Sequence, residues 1–197
     1  MTLKFLVTDI EATGLDENLD GLLEIACIGV NRDLEELFRY RSLIKPTPAH
    51  WERLLANQFV YDMHKANGLI AELEAGMAAD TLPAISTVAN DLADLVLAHY
   101  DINDKPKLAG SGVSHYDSRF LNPGMPALMN LLEPAPRRAS DIGYSRILFH
   151  DLTGIDLTSV NEDKTHRAMD DVECHLAEYR AFRDLFISAA ADLRVGA

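Results

Sequence analysis

The sequence predicts a mixed α/β fold: a five-stranded sheet, with three strands in an antiparallel meander and two parallel, and helices on both faces. Three observations lead there. Three apolar runs rich in Leu, Ile, Val and Phe fill the first 45 residues, parted only by short Gly/Asp/Asn-bearing turns that leave no room for crossover helices. Helical and extended patterns then alternate as helix, strand, helix, strand, helix. The 197 residues are 48% apolar and show no Pro/Gly/Ser-rich linker, repeat or abrupt change of composition, so one domain over residues 1–197 is expected.

The meander strands are Leu3–Ile10, Leu22–Val30 and Leu37–Lys45. From His50 to about Met77 the pattern is helical but irregular. Pro83 then opens a clearer helix through Tyr100, with Ile85, Val88, Ala89, Leu92, Leu95 and Val96 as its apolar stripe. Lys107–Val113 reads as the fourth strand and Arg138–Ile142 as a short fifth, with helices around Asp117–Leu121, Pro126–Leu132 and Tyr144–Leu152. The last helix, Arg167–Ser188, buries Ala168, Val172, Leu176, Tyr179, Phe182 and Phe186 at the helical period.

The formal net charge of −13 argues against a long nucleic-acid track, which needs clustered Lys and Arg, but leaves room for a short anionic substrate. Bound divalent cations would cancel several of these charges locally. No apolar run is long enough to cross a bilayer, and Met1-Thr2-Leu3-Lys4 leads into a strand rather than a signal peptide, so a soluble chain without a membrane partner is expected. Cys27 and Cys174 are the only cysteines and sit far apart in apolar segments. Reduced, packed thiols and a cytoplasmic location follow.

Three segments carry chemistry. In Thr8-Asp9-Ile10-Glu11-Ala12-Thr13-Gly14-Leu15, strand alternation places Asp9 and Glu11 on one face, where two carboxylates repel unless a hard cation lies between them. Alone, a D-x-E sequence is more often a solvated strand end. Asp117, in Ser114-His115-Tyr116-Asp117, is either a helix cap or a third carboxylate at the end of the sheet. In Thr165-His166-Arg167-Ala168-Met169-Asp170-Asp171, helix phase puts Asp171 at the edge of the buried stripe and turns Asp170 to solvent. His166 can meet Asp171 only from the loop before the first turn.

Together these segments resemble the DEDD 3'→5' exonucleases of the histidine subtype, and the likeness to oligoribonucleases extends through Met63-His64-Lys65-Ala66-Asn67-Gly68-Leu69 and Ala177-Glu178-Tyr179-Arg180. The resemblance implies a ribonuclease H-like fold in which Asp9, Glu11, Asp117 and Asp171 hold two Mg²⁺ or Mn²⁺ ions, with His166 as general base. It further implies that Leu15, on the Thr13-Gly14 turn, wedges against a terminal base, that His64 helps hold the substrate, and that the protein is a homodimer. Short single-stranded RNA is the substrate so implied, cleaved to 5'-nucleoside monophosphates.

The match departs where those enzymes cap a 5'-phosphate with a Tyr-Arg pair and serines. Here Arg138 stands for the family arginine, but Arg137 replaces the tyrosine, Gly143 replaces one serine, and Val113 takes another serine position with Ser111 and Ser114 on either side. Two further readings therefore stand beside the first: a single-stranded DNA exonuclease of the proofreading or repair type, and a non-catalytic nucleic-acid-binding module that keeps the fold.

Overall fold

The computed structural model describes residues 1–156 and 165–195. Strands β1 (Phe5–Ala12), β2 (Leu22–Val30) and β3 (Glu36–Leu43) form an antiparallel meander, and β4 (Lys107–Gly110) and β5 (Ser140–Asp141) extend it in parallel, in the order β3-β2-β1-β4-β5. The expected mixed sheet is present. Its fifth strand is much shorter than Arg138–Ile142, and its fourth stops at Gly110. That glycine has φ +147°, and its amide is bonded by the Tyr179 hydroxyl.

The irregular pattern after His50 resolves into three short helices, α1 (Pro48–Ala56), α2 (Gln58–Ala66) and α3 (Leu69–Ala78). Thr47 caps α1, accepting from the His50 amide with Pro48 at the first turn, and Asn57 both ends α1 and caps α2. Caps at such close spacing break the hydrophobic period, which is why no single stripe runs through the segment. The later helices are α4 (Ile85–Leu97), α5 (Asp117–Gly124), α6 (Pro126–Met129), α7 (Ile142–Thr153) and α8 (Ala168–Val195).

Period-two alternation in the strands sorts the core into two layers. Leu6, Ile10, Ile25, Cys27 and Leu108 meet Val88, Leu92 and Val96 of α4 on one face, with α5 and α6 behind them. Val7, Ala26, Ile28 and Ala109 meet Ala168, Val172 and Leu176 of α8 on the other. Each fully buried aliphatic side chain of this kind stabilises the fold by about 1.5–3 kcal/mol. On β1, the residues that alternate with Leu6 and Ile10 are Val7, Asp9 and Glu11, so the two acids face α8.

The α8 stripe runs as expected through Phe182, which is 5% exposed, but Phe186 is 65% exposed and does not belong to it. One more turn carries the helix past the edge of the sheet. Among the described residues, no helix is long and apolar enough to cross a membrane.

Candidate active site

At the C-terminal end of β1 a cleft of about 490 Å³ is lined by Asp9, Glu11, Asp117, His166 and Asp171, together with Gly14 and Leu15. Three elements deliver the acids: β1 supplies two, the first turn of α5 supplies Asp117, and the first turn of α8 supplies Asp171. Asp171 is buried and Asp170 exposed, as helix phase requires. His166 precedes α8 in a non-helical segment with φ +51°, a left-handed conformation that His tolerates better than most side chains.

Carboxylate oxygens of Asp9, Glu11 and Asp171 lie within 4.8 Å of one another, close enough to share a cation. Asp117 is 2% exposed, and its Oδ1 is buried with no hydrogen-bond partner among the described residues. Burial, reinforced by the charges of Asp171, Glu24 and Asp117, pushes Glu11 up to about 9; burial likewise pushes Asp117 well above the ordinary carboxylate range. No lysine or arginine of the described residues lines the cleft. An all-oxygen, charge-crowded donor set of this kind fits hard divalent cations.

The turn that follows β1 is fixed from below. Asp20 accepts from Thr13 Oγ1 at 3.1 Å, from the Asp16 amide at 3.0 Å and from Arg53 Nε at 2.8 Å, and Thr13 Oγ1 in turn accepts from the Gly21 amide. A Cβ on Gly14 would sit 2.4 Å from Asp20 Oδ2, so only glycine fits there. The Tyr116 hydroxyl donates to the Gly14 carbonyl at 3.1 Å. Leu15 is left projecting, 76% exposed, at the rim.

The sequence profile of the Exonuclease family (RNase_T) matches residues 6–179. The chain belongs to this exonuclease family. It is similar to the oligoribonuclease of Haemophilus ducreyi, 27% identical over 92% of this chain and 93% of that one, and to the oligoribonuclease of Streptomyces coelicolor, 29% identical over 89% and 83%. Among solved structures, Exonuclease I of E. coli in complex with a dA16 oligonucleotide superposes with a TM-score of 0.61 at 16% identity, covering 91% of this chain and 40% of that one. Exonuclease I of Methylocaldum szegediense superposes with a TM-score of 0.62, again over 91% and 40%. The chain thus spans about two-fifths of the length of the Exonuclease I chains, and the sheet-and-helix arrangement is what they share.

Within this exonuclease fold, several residues expected at the substrate lie elsewhere. His64 is fully buried beneath the cleft, its Nε2 3.1 Å from the Ala12 carbonyl and its Nδ1 3.8 Å from Glu11 Oε2, and burial lowers its pKa. It braces the end of β1 and does not line the cleft. Thr13 is likewise fully buried and serves the turn. Ser114 is tied to Asp141, whose carboxylate accepts from Ser114 Oγ at 2.6 Å and from the Ser114, Gly112 and Gly143 amides. Burial alone would raise the Asp141 pKa, but those four donors hold it below the usual range. Arg137 and Arg138 are exposed outside the cleft, with Arg138 Nη1 3.4 Å from Glu133.

Other lining residues went unread in the sequence: Phe59 and Met63 of α2, Ser111 and Tyr116 after β4, and His175 one turn beyond Asp171. His175 was legible in principle, because i+4 on a helix shares a face with i. Phe59, 79% exposed, had no such signal.

Proposed function

We propose that the protein is a 3'→5' exonuclease that hydrolyses short single-stranded oligoribonucleotides to 5'-nucleoside monophosphates. The convergence of Asp9, Glu11, Asp117 and Asp171 with His166 in one cleft carries this reading. The four carboxylates would hold two Mg²⁺ or Mn²⁺ ions, and when bound such ions lower the pKa of water and neutralise charge on the phosphate and leaving oxygen. The crowding that raises Glu11, and the absence of arginine or lysine from the lining among the described residues, support a cation requirement.

His166 acts as general base: a ring nitrogen takes a proton from the attacking water. The water oxygen bonds to phosphorus, the bond from phosphorus to the 3'-oxygen breaks, and that oxygen leaves as a hydroxyl on taking up a proton. Leu15 and Phe59, exposed apolar side chains at the rim of one cleft, flank the terminal base.

The acidic chain and the oligoribonuclease relatives favour short RNA over long polymers. A single-stranded DNA substrate is the second reading, because the structural neighbours include Exonuclease I bound to dA16. Cleavage rates on matched RNA and DNA from two to twenty nucleotides, with Mg²⁺ or Mn²⁺, separate them: RNA dinucleotides should be cut fastest, and equal rates on twenty-mers would refute the short-RNA reading. Asp9→Ala should abolish cleavage in Mn²⁺, whereas trace cleavage equal in parent and variant would leave only a binding module.

The protein also acts as a homodimer. Arg137 and Arg138 stand outside their own cleft, and α7 exposes Tyr144, Ile147, Leu148 and Leu152, each more than half exposed. Cys27 and Cys174, neither in a disulfide, suit a reducing compartment.

A further inference from the structure

The residue proposed as general base is held by a set of contacts that the reaction itself does not require. The side-chain amide of Asn67, at the corner between α2 and α3, donates to the His166 carbonyl, while its Oδ1 accepts from the Leu69 amide at 3.0 Å. The next residue, Arg167, reaches the same corner from the other side. Its Nη1 donates to the Asn67 carbonyl at 3.2 Å and to Glu72 at 2.9 Å. Its Nε and Nη2 grip both oxygens of Glu24, a fully buried residue of β2, at 3.2 and 3.1 Å, and Glu24 also accepts from the Ala168 amide at 3.3 Å.

We propose that Asn67, backed by the Glu24–Arg167 pair, is a positioning residue that latches the His166 segment onto the α2–α3 corner and sets the imidazole over the cleft. The geometry explains why a non-glycine residue at φ +51° stays put: its own carbonyl is free to turn only if the donor at Asn67 lets go. Arg167 anchors the helix side of the segment by a bidentate, charge-assisted contact in a buried setting, and Asn67 anchors the loop side. Asn67 also places its two functions on different atoms. The oxygen accepts from the Leu69 amide at the start of α3, and the nitrogen holds His166.

That separation gives the test, which rests on His166 being the base. Asn67→Asp keeps the oxygen that caps Leu69 and replaces the donor facing the His166 carbonyl with an acceptor. Expected are an unchanged Tm and KM, an unchanged Mn²⁺ affinity, and a kcat lowered roughly 10- to 100-fold, the loss that a displaced catalytic group produces. In a His166→Ala background the same substitution should alter the residual rate by less than about twofold, because residues acting through one group are not additive. Amide exchange over residues 165–168, read without substrate, should quicken in Asn67→Asp while exchange at 69–73 stays slow. An equal loss of rate with and without His166, or unaltered exchange over 165–168, overturns the latch. A parent inactive on every oligonucleotide, with exchange quickened as described, would sink the exonuclease reading and leave the latch standing.

Discussion

At the scale of single residues, the site separates groups that do chemistry from groups that give them shape. Phe59 is exposed for an aromatic side chain, and stacking a base against such a ring contributes about 1–3 kcal/mol. Phe59→Ala should therefore raise KM roughly 5- to 150-fold with little change in kcat, measured on a dinucleotide. Unchanged KM would remove Phe59 from the substrate path. Gly14 belongs to the second group. Gly14→Ala drives a methyl to 2.4 Å of an Asp20 carboxylate already held by three donors, Thr13 Oγ1, the Asp16 amide and Arg53 Nε, and should lower stability by about 1–3 kcal/mol in denaturant titration. His64 shows how a motif can be right in position and different in use: its place in the sequence marks the cleft, but the side chain lies buried beneath it, as a brace for the Ala12 backbone.

At the scale of elements, α7 leaves an apolar face uncovered. Leu148 is 60% exposed between Ile147 and Leu152, and Leu148→Glu should convert a dimer to a monomer in light scattering while leaving helix content by circular dichroism intact. A parent already monomeric at micromolar concentration would end the dimer proposal. The elements also explain what could be read beforehand. Strands β1, β2 and β4 and helices α4 and α8 were legible because each presents one side to a packed layer, and burial writes its period into the sequence. The same phase argument put Asp171 inward and Asp170 outward. Helices α1 to α3 lack that signature, being short, closely capped and packed on a small satellite cluster around Leu54, Leu69 and Leu73. The fifth strand was legible within Arg138–Ile142, but its shortening to two residues is set by pairing with Ala109 and Gly110, a tertiary fact with no local trace. For the same reason Phe59, brought to the cleft by the packing of α2, could not be named from pattern.

At the scale of the whole molecule, the cleft couples cation binding to stability. Glu11 has an ordinary value of 4.5 and lies near 9 in the fold, so it favours the folded state at low pH and that contribution is lost as pH rises toward 9. In chelator, Tm should therefore fall between pH 6 and pH 9. Added Mn²⁺ should raise Tm, and by more at pH 8.5 than at pH 6, because fewer protons must leave the carboxylates to make room for the ion. A cation-induced rise that is absent, or that shrinks with pH, would contradict the metal assignment. Glu24 and Arg167 have a different molecular consequence. They lie 143 residues apart in the chain yet meet in one ion-pair network, completed by Arg41 on Glu24 and Glu72 on Arg167, and losing either partner unbalances the charges of that network. Neither position can drift alone over evolutionary time. Descendants of this chain should change the two together or keep both, so that residues far apart along the gene are inherited in effect as one character.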